Sequence, residues 1–288
     1  MASLKCIFSI CSQNFRKWQA DYRIWCIAVV LLIMTSVYIG DIKKICDYAG
    51  TQMPIWIFPF LYSQFYTKLI FTLPVVLLFC NAPFTDSNQV FVYMRSGKTK
   101  WLLAQIVYIM EASAAFYLFL LILSLIMTMF TGELAFDWGE TLSMISADSG
   151  IRLRADAPFI DVAYIIVNFF TPLQAVGFTF LMSWLGAVIL GLVIFLFNTV
   201  TGNKTIGVLI SSLLVIISST IENDIGNWNA LIQFSPISWI TLDNIDVGSL
   251  THNPSFEYCL FVDIGIIVVL IAAILIFGRK KSLDMKGV

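Results

Sequence analysis

The sequence predicts an all-α polytopic membrane protein with six transmembrane helices and with both termini in the cytosol. Of its 288 residues, 59% are hydrophobic and 12% are charged, whereas soluble globular domains are about half apolar and a quarter charged. The mean hydropathy is +0.88, and the apolar residues gather in runs of membrane-spanning length. An N-terminal amphipathic interfacial helix and a short cytosolic helix complete the predicted fold.

A transmembrane helix needs about 20 mostly apolar residues, and six segments of the sequence are long enough to be predicted as spans. They cover residues 24–40, 62–82, 101–130, 172–197, 205–221 and 258–278. The first, fourth and fifth spans contain no charge, whereas the second contains Lys68, the third Glu111 and the sixth Asp263. We treat the chain as one transmembrane domain, residues 1–288, with an interfacial segment (1–23), spans one to three (24–130) including a cytosolic segment (84–100), an outer loop (131–171), spans four to six (172–278) and a basic tail (279–288).

The charges between the spans predict the orientation. The predicted inner segments contain twelve of the seventeen basic residues, namely Lys5, Arg16, Lys17, Arg23, Arg95, Lys98, Lys100, Lys204, Arg279, Lys280, Lys281 and Lys286. The same segments contain three acids, Asp21, Asp86 and Asp284, while thirteen acids fall in the outer segments. Cytoplasmic loops concentrate Lys and Arg, so the chain is predicted to be N-in and C-in.

Two long outer connections, about 131–171 and 222–257, each contain an apolar stretch too short to span. These stretches are residues 159–170 and 227–240, and Pro172 and Pro236 interrupt the two regions. Trp228 and Trp239 suit a membrane interface. Two alternatives stay open, a re-entrant or interfacial element and a loop that covers the bundle.

The N-terminal segment has the pattern of a surface helix. Its apolar residues recur in steps of three and four, at Leu4, Ile7, Phe8, Cys11, Phe15 and Trp18. The other face contains Lys5, Ser9, Ser12, Gln13, Arg16 and Lys17. A helix with a basic face and an aromatic-aliphatic face is predicted to lie in the plane of the inner membrane surface. Its role is either a lever beneath a cytosolic partner or an anchor for the first span.

The stretch "MRSGKTKW", residues 94–101, resembles the end of a phosphate-binding loop. That motif needs a glycine five residues before the second one, and here Val92 occupies the position. It also needs an α/β domain, for which no inner segment is long enough. We therefore predict that this chain does not bind a nucleotide at this stretch.

A short cytosolic helix is the better interpretation of this segment. Asp86 or Ser87 would cap its start, and Gly97 would end it in the left-handed conformation. Val90, Phe91, Tyr93 and Met94 form a broad apolar side, and Arg95 follows where the helix dipole favours a cation. The aromatic cluster indicates a docking element. The alternative is that Lys98 and Lys100 only mark the inner end of the third span.

In the order of these features, the chain resembles the membrane subunits of the second class of ABC-type exporters. The resemblance covers nearly the whole chain and rests on the leader (4–18), on "APFTDSNQVFVYMRSGKTKWLLAQI", on "TPLQAVGFTFLMSWLGAVILGLV", and on "FSPISWITLDN" before a "GRKK" tail. Small bacterial permeases for bacteriocin immunity, peptide export or drug efflux look like this.

The resemblance implies a non-enzymatic permease in the bacterial cytoplasmic membrane that moves a hydrophobic or peptidic substrate. It implies a connecting-helix role for Phe8, Phe15, Arg16, Lys17 and Trp18. It implies a coupling role for Asp86, Phe91, Tyr93, Met94, Arg95 and Lys98, which would contact a separate ABC ATPase. Two ATPase copies would work with two permeases, as a homodimer or with a paralogue, and ATP and Mg would bind to the ATPase and not to this chain. Lipids are expected partners and nucleic acids are not.

Four residues inside the predicted spans have an expected function or position. Glu111 lies about 15 Å beyond Trp101 on a helix, near the membrane midplane, where it either lines the substrate pathway or makes a packing interaction. Asp263 is expected to reach the headgroups. Gly186 and Gly191 are expected to allow close helix packing on span four.

The remaining chemistry of the chain is sparse. The six cysteines form no Cys-x-x-Cys pair and the single histidine is His252, so neither a metal site nor a catalytic pair is predicted. Cys46 and Cys259 are near the same predicted face, so they are either a disulfide or free thiols. The alternative function is a secondary carrier or channel without ATP coupling, although no internal repeat is evident. An intramembrane enzyme is disfavoured because paired buried acids are lacking.

Overall fold

The computed structural model describes residues 2–84, 89–130, 132, 136–222, 229–247 and 251–280, with side chains except at 2–4, 89–90 and 229–230. The α-helices of these ranges are α1 (Ala2–Arg16), α2 (Tyr22–Ala49), α3 (Phe65–Phe79), α4 (Gln89–Ser96), α5 (Lys98–Met129), α6 (Gly139–Ala147), α7 (Ile151–Arg154), α8 (Tyr164–Phe169), α9 (Pro172–Thr201), α10 (Lys204–Glu222) and α11 (Phe256–Lys280). Short 3-10 helices occur at Lys17–Gln19, Phe58–Phe60, Asn229–Phe234, Ser238–Ile240 and Leu242–Asn244. Within the described ranges there is no strand, only two isolated bridges.

Five helices in the described part of the chain are long and apolar enough to cross a membrane, namely α2, α5, α9, α10 and α11. They correspond to five of the six predicted spans, so the all-α membrane class is confirmed at this level. The second predicted span, 62–82, corresponds to α3, which has 15 residues and an internal proline, Pro74. A helix of that length is about 22 Å long, shorter than the hydrocarbon core of about 30 Å.

The helices alternate in direction, which gives the bundle two chemically different ends. At one end, Lys98 Nζ donates to the Arg279 carbonyl at 2.6 Å, and Arg23 Nη1 donates to Cys80 Sγ at 3.1 Å. This "basic end" contains one acidic residue among the described ones, Asp21. Its described basic residues are Lys5, Arg16, Lys17, Arg23, Arg95, Lys98, Lys100, Lys204, Arg279 and Lys280. The opposite "acidic end" contains the described parts of the loops after α2, α5 and α10. The charge partition seen in the sequence therefore corresponds to two ends of one bundle.

Helix α9 forms the centre of the bundle. Its apolar window is 72% buried, against 17–39% for the other four long helices, and it packs against α3, α5, α10 and α11. It contains no charged residue. The helix begins at Pro172, where Gln174 Oε1 accepts from the Thr171 backbone N–H at 3.0 Å. It ends at Gly202, whose φ of 76° is the left-handed form that glycine adopts without strain.

Two glycines let neighbouring elements approach α9 closely, as predicted for Gly186 and Gly191. A Cβ on Gly191 would meet Ile109 Cγ2 at 2.6 Å and Phe79 Cδ2 at 2.9 Å, so this position joins α9 to α5 and α3. A Cβ on Gly186 would meet Ile240 Cδ1 at 3.0 Å. That second neighbour belongs to a loop and not to a helix.

A segment without α-helix, residues 53–64, precedes α3 at the acidic end and contains one short 3-10 helix. The side chains of Ile57, Phe58, Phe60, Leu61 and Tyr62 are at most 1% exposed. Buried backbone needs hydrogen-bond partners, and hydroxyl groups of other segments supply several. The hydroxyl groups of Tyr38 and Thr128 donate to the Phe60 and Ile55 carbonyls at 3.1 and 3.4 Å. We call this segment the first plug.

A second segment, residues 229–247, contains three short 3-10 helices but no α-helix. It lies beside the first plug, and we call it the second plug. Trp239 and Ile240 are fully buried, and Ile240 reaches Gly186, about 21 Å along α9 from Pro172. The second plug therefore inserts between the helices, which supports the re-entrant alternative for stretch 227–240 within its described part, 229–240. Stretch 159–170 instead folds over the bundle, where Trp138 Nε1 donates to the Phe170 carbonyl at 2.8 Å.

Replacing Gly191 by alanine tests whether close approach at α9 holds the bundle together. We expect Gly191→Ala to lower the free energy of unfolding by about 1–3 kcal/mol, because the added methyl group overlaps Ile109 and Phe79. The measurement is thermal unfolding of the purified protein in detergent, followed by tryptophan fluorescence. Gly177→Ala is the matched control, since nothing lies within 4 Å of its added Cβ on the same helix. Equal melting temperatures for the two variants would contradict the prediction.

Candidate functional site

The short helix predicted between the second and third spans exists as α4, a two-turn helix at the basic end between α3 and α5. Phe91 and Met94 are 73% and 71% exposed, and Arg95 is exposed beside them. Val92 and Tyr93 lie on the other side and pack against the bundle, with the Tyr93 ring 6.0 Å from that of Trp101. The helix thus has one anchored face and one uncovered apolar face.

The boundary between α4 and α5 is set by Gly97. Its N–H donates to the Tyr93 carbonyl at 3.0 Å, and its φ of 81° favours glycine. Its ψ of 153° lies outside the left-handed helical region that we predicted, because α5 starts at the next residue and the chain must turn sharply. Lys98 ties α5 to the end of α11, and its coupling role stays a prediction. Asp86, and the alternative cap Ser87, lie outside the described residues.

The predicted connecting helix, α1, packs directly against α5. Ile7 and Ile10 are buried with Ala104, and Cys11 and Asn14 complete the buried face. Phe8, which the sequence places on the apolar face, is 54% exposed. The buried stripe is therefore rotated relative to the predicted one, because α1 faces a protein surface as well as its apolar surroundings.

Polar side chains join α1 to α5 at three points. Asn14 Nδ2 donates to Gln105 Oε1 at 3.0 Å, with both residues buried. Trp18 Nε1 donates to the Tyr108 hydroxyl at 2.7 Å. A buried polar pair of this kind specifies one arrangement of two helices, because any other leaves its groups unsatisfied.

The third contact involves Glu111, about 20 Å along α5 from Lys98. Cys11 Sγ donates to Glu111 Oε2 at 2.8 Å. Burial, followed by the hydrogen bond to Glu111 and its charge, raises the pKa of the Cys11 thiol above its ordinary value, so the thiol retains its proton and donates. Glu111 thus contacts α1 through Cys11, and its part in a substrate pathway stays a prediction.

Tyr108 connects α1 to the chain that leads into α4. The Phe15 and Phe84 rings lie 5.1 and 4.9 Å from the Tyr108 ring, and Phe15 also stacks on Trp18 at 5.0 Å. Phe84 is the first residue of the predicted coupling segment. Of the basic residues on α1 and just after it, Arg16 is exposed and Lys17 donates to Asn14 Oδ1 at 3.3 Å.

A second polar cluster lies at the acidic end, and the sequence indicated only one member of it. Lys68 of α3 is fully buried and pairs with Glu222, the last residue of α10. Lys68 Nζ also donates to Thr241 Oγ1 at 3.2 Å and to the Ser238 carbonyl at 3.4 Å. Glu222 could have been suspected, because it is the acid nearest the end of an uncharged predicted span.

Two other sequence-based expectations have clear outcomes. Asp263 does not reach the headgroups, since it is 1% exposed. It lies four residues from Cys259 and from Ile267, on the stripe of α11 that faces the bundle. Cys46 and Cys259 are both buried free thiols, so the free-thiol alternative holds. The part of the chain that the structure describes contains no cluster of metal-binding side chains.

No protein-family model, curated protein or solved structure matches this chain.

Replacing Asn14 by alanine tests the interface between α1 and α5. We expect Asn14→Ala to lower the free energy of unfolding by about 1–3 kcal/mol, because the buried Gln105 amide loses its partner. Gln13→Ala changes an exposed neighbour on the same helix and should have little effect. Thermal unfolding in detergent measures both variants, and an equally stable Asn14→Ala protein would show that α1 is not held by this pair.

Proposed function

We propose that this chain is the permease subunit of an ATP-driven ABC-type exporter, powered by a separate ATPase subunit. In this proposal the chain crosses a bacterial cytoplasmic membrane six times, with α3 and the first plug together forming the second crossing. Both termini and the basic end face the cytosol, in agreement with the concentration of Lys and Arg there. ATP and Mg bind to the partner, and the substrate is hydrophobic or peptidic.

The observation that carries the proposal is the uncovered face of α4. A two-turn helix between two membrane helices leaves Phe91 and Met94 73% and 71% exposed. Aromatic and Met side chains are preferred in buried interface cores. Arg95 adds a cation on the exposed side. An amphipathic helix that offers such anchors fits the groove of a cytosolic partner.

The anchored face of α4 packs against α1 and α5, so that docking of a partner on α4 would be transmitted to both helices. Val92 contacts the cluster formed by Ile7, Ile10 and Ala104, and Tyr93 contacts Trp101 at the start of α5. A displacement of α4 by the partner would therefore move α1 and α5 together. This contact supports the lever alternative for α1.

The assembled transporter would contain two copies of the ATPase and two permeases, identical or paralogous. Large exposed apolar surfaces remain on α2, α10 and α11, with Leu213, Ile217, Val268 and Val269 each at least 48% exposed. Lipid and a second permease are the partners that this surface suits.

The second candidate is a secondary carrier without ATP coupling. The observation that favours it is the first plug, a segment without α-helix beside a buried ion pair, since broken segments with charged groups are common in such carriers. Transport by the purified chain that follows an ion gradient without an ATPase would support the carrier.

The test of the exporter proposal is capture of an ATP-hydrolysing partner through α4. We expect the tagged chain, purified alone, to hydrolyse no ATP and, when isolated from its native cells in mild detergent, to bring with it an ABC-type ATPase. We expect the double substitution Phe91→Ala and Met94→Ala to reduce the retained ATPase by about tenfold, because loss of an apolar anchor costs more than about 1 kcal/mol.

Phe136→Ala is the matched control, since this residue is 87% exposed at the acidic end. It should retain as much ATPase as the unmodified chain. Equal retention of ATPase by the α4 double variant and by the control would exclude α4 as the docking element.

A further inference from the structure

The acidic end of the bundle is closed by four segments that meet at Lys68. Lys68 lies in the first turn of α3, and Glu222 is the last residue of α10. The first plug contributes the Tyr62 carbonyl, and the second plug contributes Ser238 and Thr241. These groups come from positions up to 179 residues apart in the chain. The cluster therefore joins segments that are distant in sequence.

The ammonium group of Lys68 uses all its donors in this cluster. It donates to Glu222 Oε1, to Thr241 Oγ1 and to the Ser238 carbonyl. The Thr241 hydroxyl in turn donates to the Tyr62 carbonyl at 3.0 Å, which ties the second plug to the first. Each of the four segments is therefore bound through the ion pair or through one hydroxyl next to it.

Further polar groups contact Glu222 and Ser238. Ser218 Oγ donates to Glu222 Oε1 at 3.4 Å and lies 3.1 Å from Ser238 Oγ. Asn244 Nδ2 donates to the Ser238 carbonyl at 2.9 Å. A buried charge pair is stable only when its remaining lone pairs and protons are satisfied in this way.

The pair is largely shielded from water, since the Lys68 side chain is fully buried and the Glu222 side chain is 13% exposed. Tyr62, Trp239 and Ile240, which belong to the two plugs, are fully buried. Attraction between two charges is many times stronger in such a medium than in water. The cluster is therefore strong while it is dry and weak once water enters, so it favours two discrete states over gradual loosening.

We propose that Lys68 and Glu222 form the latch that keeps the acidic end of this chain closed at rest. Opening of that end separates α3 and the first plug from α10 and the second plug, and each charge then binds water in place of its partner. The proposal rests on the transport function only for its purpose, since a translocated substrate must leave through this end. The latch itself is a property of the isolated chain.

The experiment measures access of water-soluble reagent to the first plug. Leu61 is fully buried in that plug. None of the hydrogen bonds described for the ion pair involves this residue. The variant Leu61→Cys, in lipid nanodiscs without any ATPase, is treated with a membrane-impermeant maleimide. Mass spectrometry of peptides then gives the labelling rate of the introduced thiol and of the six natural cysteines separately.

We expect slow labelling at position 61 when the pair is intact. Lys68→Met or Glu222→Gln should raise this rate by at least about tenfold, because removal of one partner leaves the other buried and unpaired in the closed form. The charge swap Lys68→Glu with Glu222→Lys should return the rate to within about threefold of the unmodified pair, since the attraction is restored.

Two internal references separate opening from unfolding. Ser143→Cys, an exposed position at the same end, should label at one rate in every background. Cys11, which is 1% exposed at the basic end, should stay protected in every background.

The latch is overturned if both single substitutions leave the rate at position 61 within about twofold of the unmodified pair. It is also overturned if the charge swap labels as fast as the single variants, or if Cys11 labelling rises by the same factor, which would mean general destabilisation. Because no ATPase or substrate is present, each result is independent of whether the exporter proposal succeeds.

Discussion

The bundle depends on the close approach of other segments to α9. This helix has no charge and is the most deeply buried of the long helices, so its contacts come from shape and not from ionic attraction. Gly191 brings α3 and α5 against its side, and Gly186 admits the second plug. Where lipid surrounds a bundle, small residues supply association energy by allowing closer van der Waals packing. Every functional element described above is attached to a helix that this contact positions.

The two ends differ in how they are closed. At the basic end, aromatic rings around Tyr108 and the Asn14–Gln105 pair fasten α1 to α5, and α4 remains uncovered on its outer face. At the acidic end, two plugs without α-helix lie beside the short α3, and the hydrogen bonds around the Lys68–Glu222 pair join them. In the two proposals above, the first end receives a partner and the second end opens.

Several site residues were predictable from local pattern, and several were not. The position of α4 and the exposure of Phe91 and Met94 follow from a short apolar segment between charged termini. The burial of Asn14 and Asp263 could not be predicted, because polar residues on a helix show their partner only after another helix is placed against them. Glu111 was recognised as unusual from its depth alone, but its contact with Cys11 spans 100 residues of sequence.

The sequence by itself determined the membrane class, five of the long helices, the segregation of charge between two ends and the short helix between α3 and α5. These features depend on hydrophobic runs and on charge counts. Both are local properties of the sequence that govern how a segment inserts into a membrane. Only the tertiary structure decided that the apolar run at 62–82 forms a short helix preceded by a plug, and that Lys68 meets Glu222. Those outcomes depend on which distant groups can satisfy buried backbone and charge, and this choice is made only when the segments pack.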